Sequence, residues 1–271
     1  AELDGDARSS RIFLGASLTQ LEIDALFADQ IEVDEVLEWD DRARSVRARM
    51  RTRLGAITLS ESLVTDSGMK GAAQLMLNIV RREGIQTLPW SGAAKTVRER
   101  VAFVRARHAD WPDMSDEFLT ATLDDWLAPI LDGRTSLRDL GNDLDRALMA
   151  MMDWRQRSDL DRLAPLHYVA PTGTRVPIKY SKPGAPSIAV RLQEMFGVKQ
   201  TPTVDAGSVP LTLELLSPAR RPVQVTRDLE GFWRGSYFEV RKELRGRYPK
   251  HVWPEDPLTA APTARAKRRG E

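Results

Sequence analysis

The stretch Ile31-Glu32-Val33-Asp34-Glu35-Val36-Leu37-Glu38-Trp39-Asp40 is followed, after a polar turn from Asp41 to Arg44, by Val46-Arg47-Ala48-Arg49-Met50-Arg51-Thr52-Arg53-Leu54. Residues alternate between apolar and charged in both arms, the period of a strand with one face covered and one wet. Two such arms around a short turn predict an antiparallel hairpin. Pairing residues whose numbers sum to 85 sets Trp39 against Val46 and Leu37 against Ala48 on the covered face. It also sets Glu38 against Arg47, Asp34 against Arg51 and Glu32 against Arg53. A slip of one residue would bring apolar side chains against charged ones, so the pattern specifies its own register.

Working outward, Arg11 to Gly15 is a candidate strand, Gln20 to Asp29 a short amphipathic helix or turn, and Ile57 to Val64 a third partner strand after Gly55. Several short antiparallel strands with one small helix predict an OB-like β domain over residues 1–66. From about 67 to 164 the apolar period becomes helical: Met69, Ala73, Met76 and Val80; Val97, Val101 and Val104; Leu119, Leu123, Trp126 and Ile130; Leu137, Leu140, Leu144, Leu148 and Met151. Ser115 and Ser136 stand at N-cap positions, the latter at capping-box spacing from Asp139. Residues 165–256 form a third, mixed α/β stretch. Eight of the 16 prolines lie between Pro171 and Pro222, which leaves room only for short strands and one helix near Ile188 to Phe196. A further helix is expected from Asp228 to Gly246, and a disordered basic tail over 257–271. The fold class is therefore α+β.

Composition narrows the function. The chain has no cysteine, which removes disulfides, thiolate metal sites and thiol nucleophiles. No apolar run approaches a membrane span and the N-terminus is no signal peptide, so a cytoplasmic protein is expected. The sequence starts without Met, as though cut from mid-chain, and a fragment is the expected reading. Ser91-Gly92-Ala93-Ala94-Lys95-Thr96 imitates a phosphate loop, but Ala94 stands where a working loop needs glycine before the lysine; a helix start is the better reading. His108, His167 and His251 are far apart and carry no metal-ligand spacing. No nucleophile elbow occurs, and no catalytic residue or cofactor site is expected in this chain.

Charge is unevenly spread. The net of +1 divides into +6 for residues 217–271 and −5 for residues 1–216, and six of the 18 aromatics fall between Phe232 and Trp253. A basic, aromatic segment suggests an anionic partner. The candidate contacts are Arg227, Arg234, Phe238, Arg241, Lys242, Arg245, Arg247, Lys250 and Trp253. Arg234, Phe238, Arg241 and Arg245 share one face of the expected helix, where guanidinium groups can hold phosphates and the ring can stack on a base. The alternative is a solvated helix face and a strap pinned to the core by Tyr248 and Trp253. In the hairpin, Arg47, Arg51 and Arg53 are expected to be neutralised across the strands. Arg49 faces Val36 and is expected to be the least compensated, so it joins the candidates.

Several blocks also resemble the C-terminal region of the HrpB-type bacterial DEAH-box helicases. They are Val36-Leu37-Glu38-Trp39-Asp40, Arg53-Leu54-Gly55-Ala56, Trp126-Leu127-Ala128-Pro129, and Pro171-Thr172-Gly173-Thr174-Arg175-Val176-Pro177-Ile178. Most specific are Leu216-Ser217-Pro218-Ala219-Arg220-Arg221-Pro222-Val223-Gln224-Val225-Thr226-Arg227-Asp228-Leu229, Gly231-Phe232-Trp233-Arg234, and the run from Val240 through His251 to Trp253-Pro254-Glu255-Asp256-Pro257. The resemblance implies an ATP-dependent helicase whose motor domains, with their ATP and magnesium, precede these residues in the same polypeptide. It implies an OB-like region lining an RNA channel, followed by a family-specific extension. The expected role is an accessory region that binds single-stranded nucleic acid, RNA in the first instance, and couples it to the motor. The competing expectation is a docking module that braces the motor without touching nucleic acid.

Overall fold

The computed structural model describes residues 2–4, 11–64, 70–181 and 185–265, and they divide into two compact units. Unit 1 comprises residues 1–79 and 131–138; unit 2 comprises 80–130 and 139–271.

In unit 1, β1 (Glu2–Asp4) pairs with β2 (Arg11–Leu14), and helix α1 (Gln20–Leu26) follows. A reciprocal capping box between Thr19 and Glu22 starts α1, satisfying two amides that a helix start otherwise leaves open. The predicted hairpin is β3 (Ile31–Asp40) and β4 (Ser45–Leu54), in the expected register from Ile31 opposite Leu54 to Asp40 opposite Ser45. Strand β5 (Ile57–Val64) joins β4 through a two-residue turn. Gly55 opens that turn at φ +59, a conformation that glycine adopts without a Cβ clash. The described strands thus make a three-stranded meander and a separate pair, an open arrangement rather than a closed barrel. Val46 and Ala48 are buried, while Val33 and Ile57 towards the far end, and Leu63 on β5, are exposed.

The polar turn is held by Asp40, whose carboxylate accepts from the Ala43 amide at 2.8 Å. That hydrogen bond, more than the nearby arginines, holds the Asp40 carboxyl below its ordinary range. A segment from far along the chain completes this end: the Val46 amide donates to Thr135 O and the Leu137 amide to Arg44 O. Ser136 stands ahead of a 3-10 turn, Arg138–Leu140, and not an α-helix. Its Oγ accepts from the Arg138 amide.

Helix α2 (Ala72–Glu83) runs from unit 1 into unit 2, which continues with α3 (Gly92–Arg105), α4 (Asp116–Ala121), α5 (Leu123–Trp126), α6 (Ala128–Leu131), α7 (Leu144–Ala150) and α8 (Trp154–Leu163). Ser91 caps α3 by accepting from the Ala94 amide at 3.0 Å, so the phosphate-loop imitation is a helix start. Ser115 caps α4 as expected. Helix α3 packs on α7 and α8, with Val97, Val101 and Val104 buried. Arg100 is buried among them. Its Nε donates to Ala164 O at 2.6 Å and its guanidinium also pairs with Asp161. The Trp90 and Trp126 rings stack 6.1 Å apart.

Beyond α8, β6 (His167–Val169) and β7 (Arg175–Pro177) form a hairpin. Strand β8 (Ser187–Arg191) pairs in parallel with β11 (Thr212–Leu216), which pairs antiparallel with β12 (Pro222–Thr226). Between them, β9 (Thr203–Val204) and β10 (Val209–Pro210) make a small hairpin. The helix expected from Ile188 to Phe196 is instead β8 plus a 3-10 turn, Leu192–Met195. Ile188 and Val190 are buried on one side of β8, and two β-branched residues spaced by two suit a strand. The expected disordered tail is tied down as far as it is described: the Gly197 amide donates to Pro257 O and the Thr263 amide to Gln193 O. Residues 266–271 of that tail lie outside the described residues, as do Met69 and the end of the expected first domain.

Candidate nucleic-acid interface

The basic, aromatic segment begins where β12 ends. Asp228 caps α9 (Leu229–Arg234) by accepting from the Gly231 amide at 2.8 Å, and α10 (Tyr237–Arg247) follows after Gly235 and Ser236. The single helix expected from Asp228 to Gly246 is therefore two, and it continues through Gly246. Gly235 takes φ −117 and ψ −98, outside the helical region, and a Cβ there would stand 3.3 Å from Gly231 O. The break interrupts the helical spacing that would set Arg234 on one face with Phe238, Arg241 and Arg245.

The apolar side of the segment is fixed firmly. Leu229, Phe232, Trp233, Tyr237 and Leu244 are buried. The Trp233 and Tyr237 rings meet edge to face at 5.3 Å, and Phe196 joins them. Trp233 Nε1 donates to Val198 O at 2.9 Å and Tyr237 Oη to Pro254 O at 2.8 Å. Burial, chiefly, pushes the Tyr237 hydroxyl up to about 12. The strap after α10 is pinned by Trp253, whose indole is buried and donates to Tyr248 O at 2.9 Å. Trp253 is thus an anchor here, with its ring turned into the core. His251 lies edge-on to Tyr248, and burial followed by the charge of Arg191 lowers its pKa.

The candidate cations split into two groups. Arg234 pairs with Glu230, Arg247 with Glu243 at 3.5 Å, and Arg241 with Glu255 at 3.3 Å while its Nε donates to Trp253 O. Arg227, Lys242, Arg245 and Lys250 are exposed and make no ion pair with a described residue. Phe238 is 49% exposed, and residues 238, 242 and 245 recur at the spacings that share one helix face. An exposed ring beside two uncompensated cations remains.

Arg49 is the clearest correction. It carries two carboxylate neighbours, Glu38 at 3.0 Å and Glu61 at 3.6 Å. The whole comb is neutralised: Arg47 by Asp40, Arg51 by Glu61 and Glu38, and Arg53 by Asp34 and Glu32. The expected cross-strand partners were Glu38, Asp34 and Glu32; the observed pairs are mostly diagonal, because strand twist carries long side chains past the residue directly opposite. Glu61 lies on β5, the expected third strand, directly opposite Arg51; its part in the comb follows from the β4–β5 register, which the hairpin pattern does not set.

Comparison with known proteins places these elements. Residues 126–257 match the family described as ATP-dependent helicase C-terminal, and residues 30–63 match the connector region of the ATP-dependent RNA helicase HrpB. The chain is 44% identical over 241 residues to the ATP-dependent RNA helicase HrpB of Escherichia coli (strain K12). The chain belongs to the HrpB family. That alignment covers 88% of the chain and 30% of the relative's length. The solved crystal structure of the E. coli DExH-box NTPase HrpB superposes with a TM-score of 0.71 at 41% identity, over 98% of this chain and 33% of that one. A second, of the E. coli DEAH/RHA helicase HrpB, gives 0.61 at 41% identity over 83% and 29%. Within the HrpB family, β3, β4 and most of β5 fall in the connector, and everything from α6 through α10 and the strap falls in the C-terminal family region. Among the described residues no group of His, Asp and Glu is placed to hold a metal, and no helix is long and apolar enough to cross a membrane.

Proposed function

We propose that this chain is the accessory region of an ATP-dependent RNA helicase, and that the α10 face of Phe238, Lys242 and Arg245, with Lys250 and Arg227 nearby in sequence, contacts single-stranded nucleic acid. The carrying observation is the exposed Phe238 ring beside cations that have no carboxylate partner among the described residues. The E. coli relative, an ATP-dependent RNA helicase at 44% identity, supports the setting. On this reading ATP and magnesium bind the motor domains of the same polypeptide, in the cytoplasm. The residues described here fit neither group: Ala94 replaces the loop glycine, and its amide is taken by Ser91.

Titrating the chain with single-stranded RNA across a salt series tests the proposal. Phosphate neutralisation gives a log–log slope of about −0.7 per contact, and Lys242→Gln with Arg245→Gln should flatten it. An absence of binding at low salt overturns the reading.

One observation favours docking instead: the arginine comb and Arg234, Arg241 and Arg247 are all consumed internally. Tight, salt-sensitive binding to separately expressed motor domains, with no affinity for RNA, would establish that role.

A further inference from the structure

Two of the most distinctive blocks in the sequence take no part in the α10 face. Pro171-Thr172-Gly173-Thr174-Arg175 turns the β6–β7 hairpin, and Leu216-Ser217-Pro218-Ala219-Arg220-Arg221-Pro222 turns from β11 into β12. They meet at a cleft of about 320 Å³ whose lining includes Arg175, Arg191 and Arg220. Its apolar wall is Val176, Val190 and Leu216.

The cleft holds one carboxylate, Glu194, which is already committed. Its side chain is 3% exposed; one oxygen receives Arg191 Nε at 2.7 Å and the other the Thr172 hydroxyl at 2.9 Å. Burial pushes the Glu194 carboxyl up, but hydrogen bonds from Thr174, Thr172 and Arg191 outweigh it and hold the group below its ordinary range. A buried, ionised Glu194 therefore cancels Arg191 and orients it. Arg175 and Arg220 are exposed and have no carboxylate among the described residues; the one polar neighbour of Arg175 is His167 Nδ1 at 3.4 Å.

Arg220 is also held with care. Its backbone sits at φ +60, where residues with a Cβ are uncommon. A closed turn fixes it there: the Arg220 amide donates to Ser217 O at 2.9 Å, and buried Ser217 Oγ accepts from the Arg221 amide at 3.1 Å. Two uncompensated guanidinium groups and one fixed by a buried carboxylate give the lining a net charge of +2 at neutral pH, counted over Arg175, Arg191, Arg220 and Glu194.

We infer that this cleft is a phosphate-binding site for a phosphorylated organic group. Guanidinium forks match phosphate oxygens two at a time. A cleft of this size lies at the lower end of small-molecule sites and exceeds what a lone phosphate fills, so the apolar wall takes the carbon part of the ligand. The phosphoryl group can come from a free mononucleotide or from the end of an RNA strand. The site is independent of the α10 proposal and stands on different residues.

Calorimetric titration of the full chain at low salt decides it, using adenosine 5′-monophosphate and a short RNA with either a 5′-phosphate or a 5′-hydroxyl. Saturable binding of the mononucleotide identifies a free nucleotide as the source; tighter binding of the 5′-phosphorylated strand than of the 5′-hydroxyl strand identifies a strand end. In either case Arg175→Gln and Arg220→Gln should weaken mononucleotide binding roughly tenfold or more, or abolish the preference for the 5′-phosphorylated strand, with the melting temperature unchanged. Since Arg220 stands at a positive φ, Arg220→Asn serves as the second variant there, because asparagine tolerates that backbone. Failure of the mononucleotide to bind together with equal affinity for the two strands, or undiminished binding in the Arg175 and Arg220 variants, overturns the inference.

Discussion

Arg49 Nε lies 3.0 Å from a Glu38 carboxylate oxygen, although the residue directly across the strand from Arg49 is Val36. Both side chains are more than a third exposed, so solvent screens the pair and its contribution is about 0.2–1 kcal/mol. Arg49→Ala should lower stability by no more than that in urea unfolding. It should also leave the salt dependence of RNA binding unchanged, which separates the comb from the α10 face.

On α10 the prediction runs the other way. Phe238→Ala should weaken single-stranded RNA binding by about 1–3 kcal/mol, the range for one base stacked on a ring, with little change in stability because the ring is half exposed. Arg234→Gln and Arg247→Gln, whose charges already have partners on their own helices, should alter the salt slope less than Arg245→Gln does. Fluorescence anisotropy at several salt concentrations reads all four.

Arg100 supports the helical part of unit 2. Replacing it with Met keeps most of the buried stem but leaves Ala164 O, which is fully buried, without its donor. The cost should be about 1–3 kcal/mol, measured by chemical denaturation. A change near zero would mean that water replaces the guanidinium.

Tyr237→Phe removes the hydroxyl that donates to Pro254 O and keeps the ring among Phe196, Trp233 and Phe232. A loss of about 0.5–1.5 kcal/mol is expected. Amide exchange should quicken in the strap around Pro254 more than in α3.

Acid should destabilise the protein partly through Asp205. Burial raises this carboxyl, but hydrogen bonds from His108 and Ser208 and the charges of His108 and Arg107 outweigh it, leaving its pKa below the ordinary 3.8. The folded form therefore binds this proton less readily than the unfolded chain. Its stabilisation is complete above the unfolded value and disappears as pH falls through the folded one. His251, also lowered, adds a penalty of the same sign as pH falls below 6.5. In a melting series, Asp205→Asn should flatten the profile below pH 4 and leave the His251 region unchanged.

The hairpin was legible because both arms alternate and only one register keeps like faces together. The choice of ion-pair partners was not, because long side chains reach diagonally and a third strand supplies Glu61. Helical spacing predicts an inward stripe of Leu229, Phe232, Trp233, Tyr237, Val240 and Leu244, and all of them but half-buried Val240 are buried. Its continuity hid the break at Gly235, since helical spacing survives a short interruption. Ile188 to Phe196 misled because an apolar run that short fits either a buried strand or a helix. Of the candidate site, exposure of Phe238 and Arg245 followed from helical spacing. The internal pairing of Arg241 with Glu255, 14 residues on, depends on where the strap returns.

The hairpin turn of unit 1 is finished by backbone that lies far downstream: Ser136 Oγ reaches Arg44 O across 92 residues of chain. During synthesis, strands β3 and β4 therefore leave the ribosome well before the piece that covers their closed end. Unit 1 has to wait, partly unsealed, while α3 through α6 are made. Any attempt to express the β meander by itself must carry residues 131–138 along, grafted or supplied as a peptide.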